Sequence, residues 1–401
     1  MSSESSILTR LQHLGTAPCD EQHPVAPVSL PSMRTSTVRF NTLEDLENTY
    51  KRKSRGERLV TYGRMGMDTH AALEDVFCAL EGGQRAFLAS SGLGAISMAL
   101  LSLLSAGDHM LAADCVYGPV FQLNNTVLKR MGIEATFTSA KDPAELEKHV
   151  KPNTRILYVE APGSLLMEML DMPALSAFAR KHGLILVTDN TWGSGYAYKP
   201  LSLGADVSIV AGTKYVGGHS DLMLGAVIAN DPELIRTIDT NQYAMGFSIS
   251  ADDAWLAIRG VRTLPVRMEQ HARNALQVCE WLEQQPAVAQ IYHPAWPSDR
   301  GHALWKRDCT GSNGLLSVAM TISETQARRF VNALTLFGIG YSWGGYESLV
   351  QWVDTGVLRN HAYFAEHADK ALQVVRLHIG LESVDDLIAD MQQAMKVASI
   401  E

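Results

Sequence analysis

The sequence predicts an α/β fold: a mostly parallel sheet with helices on both faces, followed by a smaller second layer. Three observations carry this expectation. Between Phe87 and Ala229 short apolar, β-branched runs alternate with segments of helical periodicity, the pattern of parallel strands buried on both faces. After Asp231 the alternation gives way to long helices with a few scattered strands. At 401 residues the chain exceeds what one growing core sustains, so two packed units are expected. We divide it into an N-terminal arm over 1–60, a larger unit over 61–260 and a smaller unit over 261–401.

Composition narrows the partners. Hydrophobic residues make up 46% and charged residues 19% of the chain, the balance of an ordinary globular protein. The net charge of −9 comes without any Lys/Arg-dense block, which argues against nucleic acid and anionic membrane and leaves a small molecule. The start, Met1-Ser-Ser-Glu-Ser-Ser, lacks the regions of a secretory signal and no run is apolar long enough to span a bilayer, so a cytoplasmic protein is expected. Cys19, Cys78, Cys115, Cys279 and Cys309 are widely spaced and form no CxxC pair, so neither a disulfide framework nor a zinc site is expected, and no other metal constellation is visible.

Taken in order, the arm reads as extended, with His23-Pro24-Val25-Ala26-Pro27-Val28 and Leu30-Pro31 disfavouring helix, and it needs another surface to lie on, such as a neighbouring subunit's. A short polar helix is expected over 44–55. Tyr62 and Arg64, set among glycines, offer two donors suited to an anion; an exposed Arg beside a half-buried Tyr fits the same residues. A helix over 69–82 stops at Gly82-Gly83. Ala86–Ala89 reads as a strand, Ser90-Ser91-Gly92-Leu93-Gly94 as a turn, and 96–104 as a helix, an arrangement that presents free N–H groups to a phosphate. Strands at 110–113, 134–137, 155–160 and 184–188 follow, with helices at 120–131, 142–150 and 173–181. Their ends place Tyr117, Glu160 and Asp189 on one rim with Gly92, where ligands of such sheets bind. Tyr117 is placed to stack on a planar ring. Asp189 emerges from a wholly apolar strand, so it faces a cation or protonated heterocycle, or else it forms a turn.

The strongest candidate is Lys214. It lies in Gly212-Thr213-Lys214-Tyr215-Val216-Gly217-Gly218-His219, between the apolar runs 207–211 and 222–229. A lysine at the mouth of buried strands loses hydration, its pKa falls, and its amine becomes a nucleophile or base. A solvated turn lysine is the alternative from this stretch alone. In the smaller unit, helices are expected at 251–259, 265–285, 324–334 and 385–398, and strands at 288–292, 315–320 and 337–341. Tyr341-Ser342-Trp343-Gly344-Gly345-Tyr346-Glu347 clusters polar aromatics with glycines, and Arg376 sits in the apolar strand 374–380, where it takes a carboxylate ligand or an ion pair within the fold.

Together Tyr62-Gly-Arg64, Ser91-Gly92, Tyr117-Gly-Pro, Glu160-Ala-Pro162-Gly-Ser164, Asp189-Asn-Thr-Trp192, Thr213-Lys214-Tyr215, Tyr341-Ser-Trp and Arg376-Leu-His-Ile-Gly380 resemble the Cys/Met-metabolism family of pyridoxal-phosphate enzymes, and within it the bacterial cystathionine β-lyases. The resemblance spans nearly the whole chain. It implies fold type I with an arm, a large cofactor domain, a smaller C-terminal domain, and a homotetramer of two catalytic dimers. It implies pyridoxal 5′-phosphate held as a Schiff base by Lys214, with Asp189 on the pyridine nitrogen and Tyr117 stacked on the ring. The phosphate would be gripped by Gly92, Leu93, Thr213, and by Tyr62 and Arg64 of the partner subunit. Arg376 would take the carboxylate of a sulfur amino acid, with Tyr341, Ser342 and Trp343 shaping the substrate side.

The reaction implied is β-elimination from L-cystathionine, giving homocysteine, pyruvate and ammonia, with Lys214 moving the proton. Met65, Gln122 and Ala211 depart from residues common in relatives, and Met65 and Gln122 bear on the distal end of the substrate. A γ-lyase of the same family, a lyase for cysteine or another S-substituted cysteine, and a catalytically silent member are the rivals.

Overall fold

The computed structural model describes residues 5–358, 361–365 and 372–400. Seven strands form the larger sheet: β1 (Arg85–Ala89), β2 (His109–Ala113), β3 (Glu134–Thr138), β4 (Thr154–Glu160), β5 (Ile185–Asp189), β6 (Val207–Val210) and β7 (Gly225–Ala229). Their spatial order is β1-β7-β6-β5-β4-β2-β3. β2, β3, β4, β5 and β6 pair in parallel, whereas β7 runs antiparallel to both β1 and β6. The sheet is therefore mostly parallel, as expected, with one reversed strand. β2, β6 and β7 are buried along their whole length, which is why they read as continuous apolar runs.

The covering helices follow local chemistry. Asp171 caps Met172–His182 by accepting from the Ala174 N–H, Pro173 occupies the first turn, the last turn carries Arg180, Lys181 and His182, and Gly183 stops the helix at φ +65°. Asp68–Glu81 ends in the same way at Gly82, φ +76°. Pro232–Met245 is a helix that the polar run 236–242 concealed; its Asp231 cap and Gly246 stop are the signals that mark it.

A second, five-stranded sheet has the order β10-β11-β12-β9-β8, with β8 (Val288–Tyr292), β9 (Leu315–Met320), β10 (Gly338–Ile339), β11 (Leu349–Val353) and β12 (Gln373–His378). β10 is shorter than expected, and β11 was not anticipated. The helix Leu264–Glu283 joins the two cores: Leu264 and Met268 belong to the large one, and Ala275, Val278, Cys279 and Leu282 to the small one. No described helix is long and apolar enough to cross a membrane.

The arm differs from a wholly extended reading. Ser6 caps a helix, Ile7–His13, whose Leu11 is fully buried, and Arg262 Nη1 donates to Leu11 O at 2.6 Å. Further on, Trp255 Nε1 donates to Leu30 O at 3.0 Å and the Thr69 hydroxyl to Pro31 O at 2.9 Å. The arm thus lies on its own chain, while Val25 and Val28 stay 91% and 85% exposed and free for another surface.

Beneath the rim, the fully buried Glu81 accepts from Asn190 Nδ2 at 2.9 and 3.0 Å and from the Ser208 hydroxyl at 2.8 Å. Burial pushes its carboxyl up from 4.5 to about 7. A folded state that holds this proton more tightly than the unfolded chain gains its full contribution below pH 4.5 and loses it as pH rises toward 7. Glu81→Gln, which cannot ionise, removes that dependence. The difference in unfolding free energy between wild type and variant, measured by chemical denaturation, should move against the wild type by about 3 kcal/mol between pH 5 and 8; a constant difference would show that Glu81 does not carry this proton.

Candidate active site

The carboxyl ends of β1, β2, β4, β5 and β6 converge on a cavity of about 630 Å³. Gly92, Leu93, Tyr117, Asp189, Thr213 and Lys214 line it from the large sheet, and Tyr341, Ser342, Trp343 and Arg376 close it from the small one. Ten of the twelve residues singled out in the sequence are thereby brought together.

Lys214 is positioned by a tight turn, its N–H donating to Ala211 O at 3.1 Å and its carbonyl accepting from the Gly218 N–H at 2.8 Å. Its Nζ donates to Ser342 Oγ at 2.5 Å and stands 5.2 Å from the centre of the Trp343 ring. Burial, helped by the Arg376 guanidinium, lowers the ammonium to about 8, against the opposing pull of Asp189. The turn lysine is desolvated. Ser342 holds this contact with φ +90°, a conformation costly for a residue with a Cβ. At Gly344, also φ +90°, a Cβ would fall 2.8 Å from Tyr215 N and 3.0 Å from Lys214 Cα, so only glycine allows the loop to press on the lysine backbone.

Asp189 answers to both readings of the sequence. Its Oδ1 accepts from the Thr191 N–H at 2.9 Å and the Thr191 hydroxyl at 2.6 Å, forming the turn, and Oδ2 accepts nothing from the described residues. The side chain lines the cavity, and burial raises its pKa, offset by the Thr191 bonds. Thr191, two residues along, is a part the sequence reading passed over; the Asp-x-Thr spacing is its signal.

Tyr117 is 44% exposed, and its backbone N–H donates to Glu160 Oε2 at 2.5 Å. Glu160 Oε1 accepts from the Ser164 hydroxyl at 2.7 Å. Glu160 is in register with Asp189, and burial followed by that neighbour's charge raises its pKa well above the carboxylate range. This carboxyl holds the Tyr117 backbone while leaving the ring open to the cavity.

Ser91 caps the helix Gly92–Leu103, its Oγ accepting from the Gly94 N–H at 3.0 Å, and the first-turn N–H groups of Gly92 and Leu93 have no intrahelical acceptor. A Cβ on Gly92 would meet Ala211 Cβ at 2.6 Å. Thr213, expected on the phosphate, donates its hydroxyl to Leu224 O at 3.1 Å and accepts from the Leu224 N–H at 2.9 Å, so a rotation is needed before it can serve an anion. Arg376 is half-buried, its Nη2 donates to Ser342 O at 3.5 Å, and it has no carboxylate partner among the described residues. Burial lowers its pKa to about 10.

Tyr62 and Arg64 stand apart. Arg64 donates to Tyr243 O at 3.1 Å and lies 5.0 Å over the Tyr243 ring, Tyr62 is 45% exposed, and neither lines the Lys214 cavity of its own chain.

Free helix amides, a half-engaged carboxylate, an open aromatic face and a desolvated lysine fit pyridoxal phosphate, group by group. The family model described as Cys/Met metabolism PLP-dependent enzyme matches residues 13–396. A cystathionine beta-lyase of Bordetella avium is 63% identical over 397 residues, covering 99% of both chains. Cystathionine beta-lyase MetC of Escherichia coli K12 is 36% identical over 396 residues, covering 97% of this chain and 98% of its own. Among solved structures, metB from Corynebacterium glutamicum superposes with a TM-score of 0.87 at 30% identity, covering 98% of each chain. Cystathionine gamma-lyase from Lactobacillus plantarum superposes with a TM-score of 0.86 at 30% identity, covering 99% of this chain and 100% of that one. From residues 13 to 396 the chain belongs to the Cys/Met metabolism family of pyridoxal phosphate-dependent enzymes.

Proposed function

We propose that this protein is a carbon–sulfur β-lyase that cleaves L-cystathionine, with water, to homocysteine, pyruvate and ammonia, in methionine synthesis. The observation that carries the reading is Lys214: a desolvated amine held at Ser342, between an unpaired Arg376 and the open oxygen of Asp189, in one cavity. The 63% identity to a protein named cystathionine beta-lyase supports the choice of substrate.

When bound, pyridoxal phosphate supplies the electron sink that makes the substrate Cα–H bond acidic. The chain does the rest. Gly92 and Leu93 amides and the helix dipole would hold the phosphate, Asp189 Oδ2 would accept from the ring nitrogen, and Tyr117 would offer its ring to the cofactor. Arg376 takes the α-carboxylate through its fork of N–H groups. Lys214 Nζ, aimed by Ser342 Oγ, removes the Cα proton and returns it to the sulfur as the Cβ–S bond breaks. Trp343 and Tyr341 exclude water at the mouth.

Tyr62 and Arg64 serve the neighbouring subunit's phosphate in a homotetramer of catalytic dimers, and the enzyme works in the cytoplasm. Their exposure and their distance from the cavity of their own chain support this assignment.

The loaded enzyme given L-cystathionine should release pyruvate and homocysteine, identified by mass. Release of 2-oxobutyrate and cysteine would replace the β-lyase with the γ-lyase named among the structural neighbours. In the cofactor-free protein, an amine-selective reagent should modify Lys214 with an apparent pKa of about 8, rising when Arg376 is replaced by Leu, because one repelling charge is gone. An apparent pKa near 10.5 would mean that the amine is hydrated. Arg64→Ala and Lys214→Ala should each lose at least about 100-fold in kcat/KM, and their co-expressed mixture should regain activity because an intact Lys214 site then borrows Arg64 from the other subunit. A mixture as inactive as its parents would confine Arg64 to its own chain.

A further inference from the structure

The face that the small sheet turns to the cavity is ordered in rows. Val353, Val374 and Ala319, in register across β11, β12 and β9, are buried in an apolar core. Two residues along the strands the row is polar: Gln351 is in register with Arg376, and Arg376 with Ser317. Residues in register share a face, with Cβ atoms about 5 Å apart. Ser317 is occupied, its hydroxyl donating to Leu165 O at 2.5 Å.

Gln351 has no such occupation. It lines the cavity beside Arg376, its Oε1 is buried without a partner, and its Nε2 donates to nothing among the described residues. An amide that loses water without gaining a partner destabilises the fold, and an apolar side chain would suit this sheet face better. Rotation of the amide exchanges its nitrogen and oxygen, so either end can be offered to a ligand. The neighbouring guanidinium decides which ligand group comes here: it repels an ammonium and attracts a carboxylate, whose two oxygens offer about four lone-pair sites, two of them used by an Arg fork.

We infer that Gln351 is a substrate-binding residue, donating its amide N–H to the same α-carboxylate that Arg376 takes. The inference rests on the reading that the Arg376 end of the cavity holds an α-amino acid. A neutral donor is the group that suits this place. A Glu would pair with Arg376 and withdraw it from the substrate, and a Lys would add a second cation beside Lys214 and lower its basicity further.

The test titrates the holoenzyme, calorimetrically, with L-alanine, which carries the carboxylate and no leaving group, and with L-alaninamide, which lacks the charge. Gln351→Leu should weaken L-alanine about tenfold, the effect of one hydrogen bond to a charged group, and change L-alaninamide less than about twofold. Gln351→Glu should weaken L-alanine further still. Unchanged L-alanine affinity in Gln351→Leu, equal loss of both probes, or tighter binding by Gln351→Glu would each overturn the assignment. L-alanine reports binding alone, so wild-type enzyme that discriminates these probes through Gln351 yet forms no pyruvate from cystathionine would sink the reaction and leave the binding residue standing.

Discussion

The structure depends on keeping water away from one amine. A lysine in solvent carries its proton far above neutral pH and can neither attack nor abstract. Here two sheets and the loop between β10 and β11 close around it. Gly344 presses on the Lys214 backbone, Trp343 covers the amine, and Tyr215, the next residue, is buried against His271 and His378 at ring distances of 5.4 and 5.8 Å. His378 in turn accepts the Gly344 N–H at Nε2, 3.1 Å away, which fixes the loop that carries Ser342. The strained Ser342 thus sits in a loop held by Gly344 against the Lys214 backbone and by the His378 hydrogen bond.

Electrostatics on the opposite wall follows the same logic. Glu160 and Asp189 are neighbouring acids in register on adjacent strands, and the Asp189 charge, after burial, raises the Glu160 pKa. Hydrogen bonds divide them. Both Glu160 oxygens are taken up by Tyr117 and Ser164, whereas Asp189 keeps one oxygen open to the cavity. The two carboxyls therefore do different work, one bracing the chain and one facing the cavity.

Much of this was legible in the sequence, because the large sheet is buried on both faces and its strands stand out as apolar runs ending in polar residues. Asp189 and Lys214 could be placed on one rim from strand ends alone. What escaped has physical reasons. The reversed direction of β7 leaves no mark, since a buried strand reads the same in either sense. Strand β11 mixes Gln351 and Trp352 into a short run, which hides its alternation. The engagement of the Thr213 hydroxyl by Leu224, and of Glu160 by Tyr117, joins residues brought together only by folding. The unpaired amide of Gln351 is of that kind as well.

The reversed strand also orders the events of folding. β1 lies at the edge of the large sheet with β7 as its one neighbour there, so the strand that delivers Gly92 stays unpaired until the chain has reached Ala229. Strands β2 to β6 pair among themselves without it. Contacts of such long sequence separation form late, after the entropy of closing the intervening loop has been met. The helix Gly92–Leu103 and Lys214 become neighbours in that closing step, when β7 is inserted between β1 and β6. Until then the ends of β2, β4, β5 and β6 gather Tyr117, Glu160, Asp189 and Lys214 without the helix Gly92–Leu103, so the cavity is completed only when the sheet closes.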